Sequence, residues 1–285
     1  MAHRYCVILL LLLFASPATW AKVIHRSFED ALYEKEKVVS LRVTYKHLKA
    51  LPDIFDQFPN LEEVNFNNND LTSLPPSLFN CRKLRSIKLS KNELTHLPEA
   101  VGRLKNLEYL SLSYNKLESL PDSIGYLTNL EQLSVKNNLL TTVPASLGRL
   151  HNLKKLSLTS NLLESIPHEI TDLTKLELLD LADNMLVELP PAMGNLKSLK
   201  FFYVSRNRLV EIPETIGKCK YLQELDVVYC GAMRLPFSLA NIQKLDLVYM
   251  DERTIPFYPN PRYQHRQRLI VVQAGTSYYR TSQSF

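Results

Sequence analysis

The chain has 285 residues, 45% of them hydrophobic, with 34 lysines and arginines against 29 aspartates and glutamates, a formal net charge of +5 at pH 7. That length can bury an extended core in one or two domains. Basic and acidic residues are interspersed, with no dense basic run between residues 38 and 255, so the charge balance does not point to nucleic acid. Met1–Ala21, MAHRYCVILLLLLFASPATWA, opens with basic His3 and Arg4 and runs through the apolar Val7–Phe14. Small residues follow at Ser16, Ala18, Thr19 and Ala21. This order is that of a secretory signal peptide, and its apolar run is too short to span a bilayer. The expected product is exported: secreted, periplasmic or at the cell surface.

Residues 22–37, KVIHRSFEDALYEKEK, place Ser27 ahead of Phe28, Ala31 and Leu32, with Glu29 and Asp30 in the first turn. The spacing predicts a short N-capped amphipathic helix that covers the open end of whatever core follows.

From residue 38 to 255 a 23-residue pattern repeats without insertion or loss, starting at 38, 61, 84, 107, 130, 153, 176, 199, 222 and 245, the last copy degenerate. In the copy that begins at Leu107, the residues Leu107, Leu110 and Leu112 alternate like a short strand. Asn115, Leu117, Leu120, Pro121, Ile124, Gly125 and Leu127 follow. One coil cannot bury its leucines alone, so neighbouring coils stack into one continuous core. Asn69, Asn92, Asn115, Asn138, Asn161, Asn184 and Asn207 share one position, where an amide can serve both donors and acceptors of the turning backbone. Lys46, Cys230 and Arg253 stand there in the other copies. Proline recurs once per copy, from Pro52 to Pro259. Its fixed φ and missing N–H favour an extended or short 3₁₀ return limb over a long convex helix.

The pattern L-x-x-L-x-L-x-x-N-x-L with the ending L-P-x-x-I-G-x-L resembles the leucine-rich repeat family, in the 23-residue class shared by Ras-suppressor-type and many secreted bacterial members. The resemblance implies an α/β solenoid. This is a right-handed horseshoe with a parallel concave β-sheet, short 3₁₀ or extended convex limbs and an asparagine ladder at the strand ends. Animal extracellular members carry cysteine-rich caps, which this chain lacks, and it has no N-x-[ST] acceptor. Both features point to a bacterial exported protein.

Cys81 and Cys219 share one repeat position six coils apart, about 29 Å at the strand spacing, so they cannot pair. Residues 256–285 hold Arg262, Arg266, Arg268 and Arg280 and no acid. Leu269–Gln273 and Ser277–Arg280 read as a hairpin, and the segment as a cap or tail.

No catalytic constellation assembles. His47, His96, His151 and His168 fall on different repeat positions, and neither metal-ligand spacing nor a phosphate loop is present. The expectation is a non-catalytic protein with no cofactor, no metal and no transmembrane span, and a monomer. The third, fifth and seventh residues of each copy point away from the core on the concave face. The copies from 84 to 153 are serine-rich there, with lysines as the only charges and Tyr109 as the aromatic. The last four carry Leu178, Asp180, Phe201, Tyr203, Glu224, Asp226, Leu247 and Tyr249, with Asp251 as a further acidic charge. Aromatic anchors among carboxylates form the expected binding site, for a protein or peptide ligand of basic character. The serines are expected to matter less. A structural or adhesive surface role and an enzyme with an unrecognised site are the alternatives.

Overall fold

The computed structural model describes residues 24–254 and the backbone of 270–273. Residues 1–23, with the expected signal peptide, and most of the segment after residue 254 lie outside the described residues. Twelve strands form one sheet in strictly sequential order, and every adjacent pair is parallel. They are β1 (Ile24–His25), β2 (Ser40–Arg42), β3 (Glu63–Asn65), β4 (Ser86–Lys88), β5 (Tyr109–Ser111) and β6 (Gln132–Ser134). The sheet continues with β7 (Lys155–Ser157), β8 (Leu178–Asp180), β9 (Phe201–Tyr203), β10 (Glu224–Asp226), β11 (Leu247–Met250) and β12 (Ile270–Gln273). From β2 onward the register equals the repeat, so Leu110 opposes Ile87 on one side and Leu133 on the other. Equivalent residues therefore line up in rows, about 4.8 Å apart.

Each coil closes through a 3₁₀ turn set by its proline. Pro121, at φ −70° and ψ 151°, ends the extended limb, and Asp122–Tyr126 form the turn with Ile124 N–H donating to the Pro121 carbonyl. Ser123, Ile124 and Gly125 face inward there. The glycine is required by the next coil. A Cβ on Gly102 would lie 2.8 Å from Ser123 Cβ and 2.9 Å from its carbonyl oxygen, inside van der Waals contact. Where Phe79 and Thr171 occupy the same position, the neighbouring turns pack less closely.

The leucines form one continuous core from Ala31 to Val248. At its first coil Ser27 caps the helix α1 (Phe28–Tyr33), its Oγ accepting the Asp30 N–H at 3.0 Å. The Phe28 ring then packs against Phe55 and Phe66, at centroid distances of 6.2 and 6.1 Å. Ahead of the helix, β1 adds a strand on the free edge of β2, which two residues of sequence do not announce. At the other end β12 lies parallel on β11 with Leu247 opposite Ile270, the same 23-residue offset as the rest. The first arm of the expected hairpin thus extends the main sheet, and its second arm lies outside the described residues.

Cys81, Cys219 and Cys230 are free and buried. Burial pushes the first two thiols up to about 11 and the third to about 12. Each donates to a carbonyl one coil back: Cys81 to Phe55, Cys219 to Met193 and Cys230 to Val204.

Candidate ligand-binding face

The asparagine row binds coil to coil. Asn138 Nδ2 donates to the Leu112 carbonyl of the preceding coil at 3.0 Å and to Val135 of its own at 3.2 Å, while Oδ1 accepts the N–H of Leu117 at 3.0 Å. The same reach across the coil recurs from Asn69 through Asn92, Asn115, Asn161 and Asn184 to Asn207. These side chains are buried and fully used by the scaffold. The residue just before each asparagine is left-handed in every coil, at φ 58° for Lys91, 59° for Tyr114, 51° for Asn137 and 57° for Asp183. Asparagine and aspartate take this conformation readily, but Lys91 and Tyr114 do not, and there the 23-residue closure imposes it.

A second asparagine row escaped sequence reading. Asn60, Asn106, Asn129 and Asn152 each donate to a carbonyl 24 residues earlier, at 2.8–2.9 Å. A flank of charges was also missed: Arg85 with Glu108, Lys154 with Glu131 and Lys200 with Glu177 pair between adjacent coils. Glu108 holds the Arg85 guanidinium above its ordinary range. Both rows become visible in sequence only once positions are compared at an interval of one repeat.

On the concave face two rows are set by register. One runs Ser86, Tyr109, Gln132, Lys155, Leu178, Phe201, Glu224, Leu247, and the next Lys88, Ser111, Ser134, Ser157, Asp180, Tyr203, Asp226, Tyr249. The expected aromatic and acidic residues are adjacent, but they are not equally available. Tyr203 is only 9% exposed and Leu178 7%, whereas Phe201, Glu224, Asp226, Leu247 and Tyr249 are half-buried. Tyr203, Glu224, Asp226 and Tyr249 each have interaction partners. Asp251, read from sequence as a further concave charge, is buried instead and accepts the N–H groups of Tyr229, Arg253 and Thr254. It caps the last described turn.

The hollow of the face lies elsewhere. A concavity of about 240 Å³ sits over β5–β8, with Ser111, Ser134 and Ser157 in its floor and Tyr109, Lys136 and Lys155 among its walls. It exists because three successive coils place serine in the same row, between larger groups at Lys88 and Asp180. Ser113 and Ser134 hydroxyls lie 2.8 Å apart and Ser90 and Ser111 2.6 Å, which fixes this floor. Lys136 Nζ reaches Asp180 Oδ2 at 3.9 Å across the intervening strand, so the basic and acidic halves of the face meet at this pair.

The histidines do not converge. His47 pairs with Asp70 at 3.3 Å, and His168 lies beside Glu169. Among the described residues no group of three or more His, Cys, Asp or Glu side chains could hold a metal ion. No helix among them is long and apolar enough to cross a membrane.

Known proteins place this geometry. A family model described as a leucine-rich repeat region matches residues 37–161, and a single leucine-rich repeat matches 175–196. No curated protein sequence matches the chain. Among solved structures, the functional domain of InlJ from Listeria monocytogenes superposes with TM-score 0.66 at 21% identity, over 82% of this chain and 46% of that one. The Arabidopsis receptor kinase HAESA, solved with the peptide hormone IDA and the co-receptor SERK1, gives 0.68 at 26% identity, over 82% and 42%. The plant peptide hormone receptor RGFR1, in complex with RGF2, gives 0.56 at 25%, over 80% and 40%. The chain spans less than half the length of each of these structures. Parallel coils at a constant 23-residue register, a buried asparagine row and these matches lead to one assignment: the chain belongs to the leucine-rich repeat proteins.

Proposed function

We propose that this protein is an exported, non-catalytic scaffold that takes a protein or peptide ligand on its concave sheet. One observation carries the reading. The buried asparagine row is consumed by packing, while the concave rows hold tyrosine, phenylalanine, lysine and carboxylate side chains around a hollow. Rigid, regularly spaced concave rows are the recognition surface that a stacked repeat provides. The similarity to two receptors solved with peptide hormones supports the peptide class. Export rests on the order of basic, apolar and small residues in the leader. The carboxylates of β8 and β10 favour a basic segment of the ligand, with Phe201 as the anchor beside them because Tyr203 has little surface to give.

The test is selection of displayed peptides on the purified full chain, followed by binding to concave and convex variants. Peptides that lose binding to Phe201→Ala but keep it with Lys218→Ala support the reading. Peptides that bind both variants alike, or no enrichment at all, overturn it.

A further inference from the structure

Basic residues that are scattered along the chain gather on one lateral edge of the solenoid. Each coil returns from its 3₁₀ turn to the next strand through a short limb, and three residues of that limb point outward around a buried apolar one. In the coil that begins at Leu84 these are Arg103, Lys105 and Asn106, around the buried Leu104. Equivalent positions stack: Arg103 donates to the Asn80 amide oxygen at 3.4 Å, Lys83 to that of Asn60 at 2.7 Å, and Asn106 to the Arg82 carbonyl at 2.8 Å. The first row holds Arg103, Arg149 and Lys218, the second Arg82, Lys105, Lys197 and Lys220, and the third Lys83, Lys175 and Lys244. All ten are exposed, and over the eight coils from residue 80 to 244 the only acid in these rows is Asp172. The whole chain has a net charge of +5, so the excess on this edge is larger than that of the protein. The next row toward the sheet does not share it: Arg85, Lys154 and Lys200 are each paired with a glutamate.

Where the ten have partners, these are neutral. Lys175 donates to the Asn152 amide oxygen at 2.8 Å, and Lys197 and Lys220 to the Gly194 and Gly217 carbonyls at 2.6 and 2.9 Å. Lys105 and Lys244 lie 4.5 and 4.3 Å from the ring centroids of Tyr126 and Tyr221, which are half-exposed. Such contacts orient an ammonium group and leave its charge intact. Among the described residues none of the ten pairs with a carboxylate. Coils stand about 4.8 Å apart, inside the screening length of about 8 Å at physiological salt, so charges on neighbouring coils reinforce one another.

We propose that this edge docks the solenoid onto an anionic lipid surface, with its lysines among the headgroups and Tyr126 and Tyr221 at headgroup depth. The cations are spread in three rows over about 34 Å at the strand spacing, an area that meets a plane rather than a point. They stand on exposed limbs and lapse at the coil of Tyr126, Thr128 and Asn129, whereas a single polyanionic strand is tracked by a continuous basic groove. Lysine outnumbers arginine seven to three, which suits diffuse attraction to a charged surface over bidentate recognition of one phosphate. A half-exposed tyrosine offers a ring to the apolar boundary and a hydroxyl to water. From β3 to β11 every strand starts beside this edge and runs away from it, so the docked sheet stands upright and its concave rows stay open to solution. The proposal is independent of what those rows bind.

The experiment is co-sedimentation of the full chain with vesicles of phosphatidylcholine alone and of phosphatidylcholine and phosphatidylglycerol in equal parts, beside binding of heparin in solution. The expected result is tighter retention on the mixed vesicles, released by salt and weakened about tenfold or more by Arg82→Gln/Arg149→Gln/Lys218→Gln. The same charge removed from the opposite edge, by Lys46→Gln/Lys49→Gln/Lys91→Gln, is expected to change retention by no more than about twofold. Unchanged melting of both variants is the check on folding, and the apolar leader adds the same background to each. Equal retention on the two vesicle types, equal loss from the two triple variants, or heparin bound with no preference for the mixed vesicles each overturns the proposal.

Discussion

Asn138 Oδ1 accepts the N–H of Leu117, twenty-one residues earlier and one coil away, at 3.0 Å, while its Nδ2 donates to Leu112 in that same coil. A single buried amide thus replaces backbone bonds that the turning chain cannot make for itself. This relation, repeated along the array, makes the solenoid's cohesion a property of neighbouring coils.

Asn138→Ala is expected to destabilise by about 1–3 kcal/mol for each buried donor or acceptor left unpaired, read by chemical denaturation. The adjacent Asn137 has no place in the row, yet it stands at φ 51°. Asn137→Ala is therefore expected to cost about 1 kcal/mol and Asn137→Gly close to nothing, since alanine alone carries the left-handed penalty. If the alanine and glycine variants at 137 melt together, the backbone argument is wrong.

Cys230 occupies the amide position but supplies only a thiol donor, to Val204 at 3.1 Å, with no good acceptor for the N–H of Leu209. Cys230→Asn is expected to raise stability by about 1 kcal/mol, the net worth of a hydrogen bond gained. Unchanged or lower stability would show that the ninth coil no longer fits an amide.

The buried thiols also set a pH dependence. Their folded pKa values, about 11 for Cys81 and Cys219 and about 12 for Cys230, lie above the ordinary value of 9.0. A raised folded pKa gives stability that is intact below pH 9 and is lost as pH rises through 11 to 12. The loss is steepest between those limits, up to about 1.4 kcal/mol per pH unit for each thiol. Lysines and tyrosines titrate in the same range, so the informative quantity is the difference between the wild type and Cys219→Ala. The variant is expected to lose less stability from pH 9 to 11. Native protein at pH 8 is expected to resist iodoacetamide at all three sites.

Gly102→Ala brings a methyl group within 3 Å of Ser123 backbone and side chain. Separating two coils to relieve it is expected to cost about 1–3 kcal/mol, the usual range for overpacking. Gly231, at φ 86° with nothing within 4 Å of an added Cβ, offers the contrast. Alanine there is penalised by backbone conformation alone, so the expected loss is smaller. Thermal melting of the two variants distinguishes crowding from conformation.

Much of the fold was legible because the repeat carries its own proof. A leucine every two or three residues, an asparagine at one position and a proline at another recur together, and only stacked coils satisfy all three. The prolines even announced the 3₁₀ return limb, because a fixed φ and a missing N–H leave the chain few other ways to turn. The left-handed residues were not legible. Tyr114 and Lys91 have no preference for φ near 60°, and the strain is imposed by closing the coil.

The sequence by itself determined which residues face the core, which form the asparagine row and which line the concave sheet. Period and alternation settle those assignments locally. Only the tertiary structure decided what that sheet presents. Ser111, Ser134 and Ser157 looked inert in a linear reading, and stacking at one register turns their small side chains into the floor of a hollow. Tyr203 looked like an exposed anchor and is 9% exposed, and Asp251 looked like a ligand-facing charge and is a buried cap. The depth of a surface depends on the sizes of neighbours 23 residues away on either side, and those neighbours meet only when the coils stack.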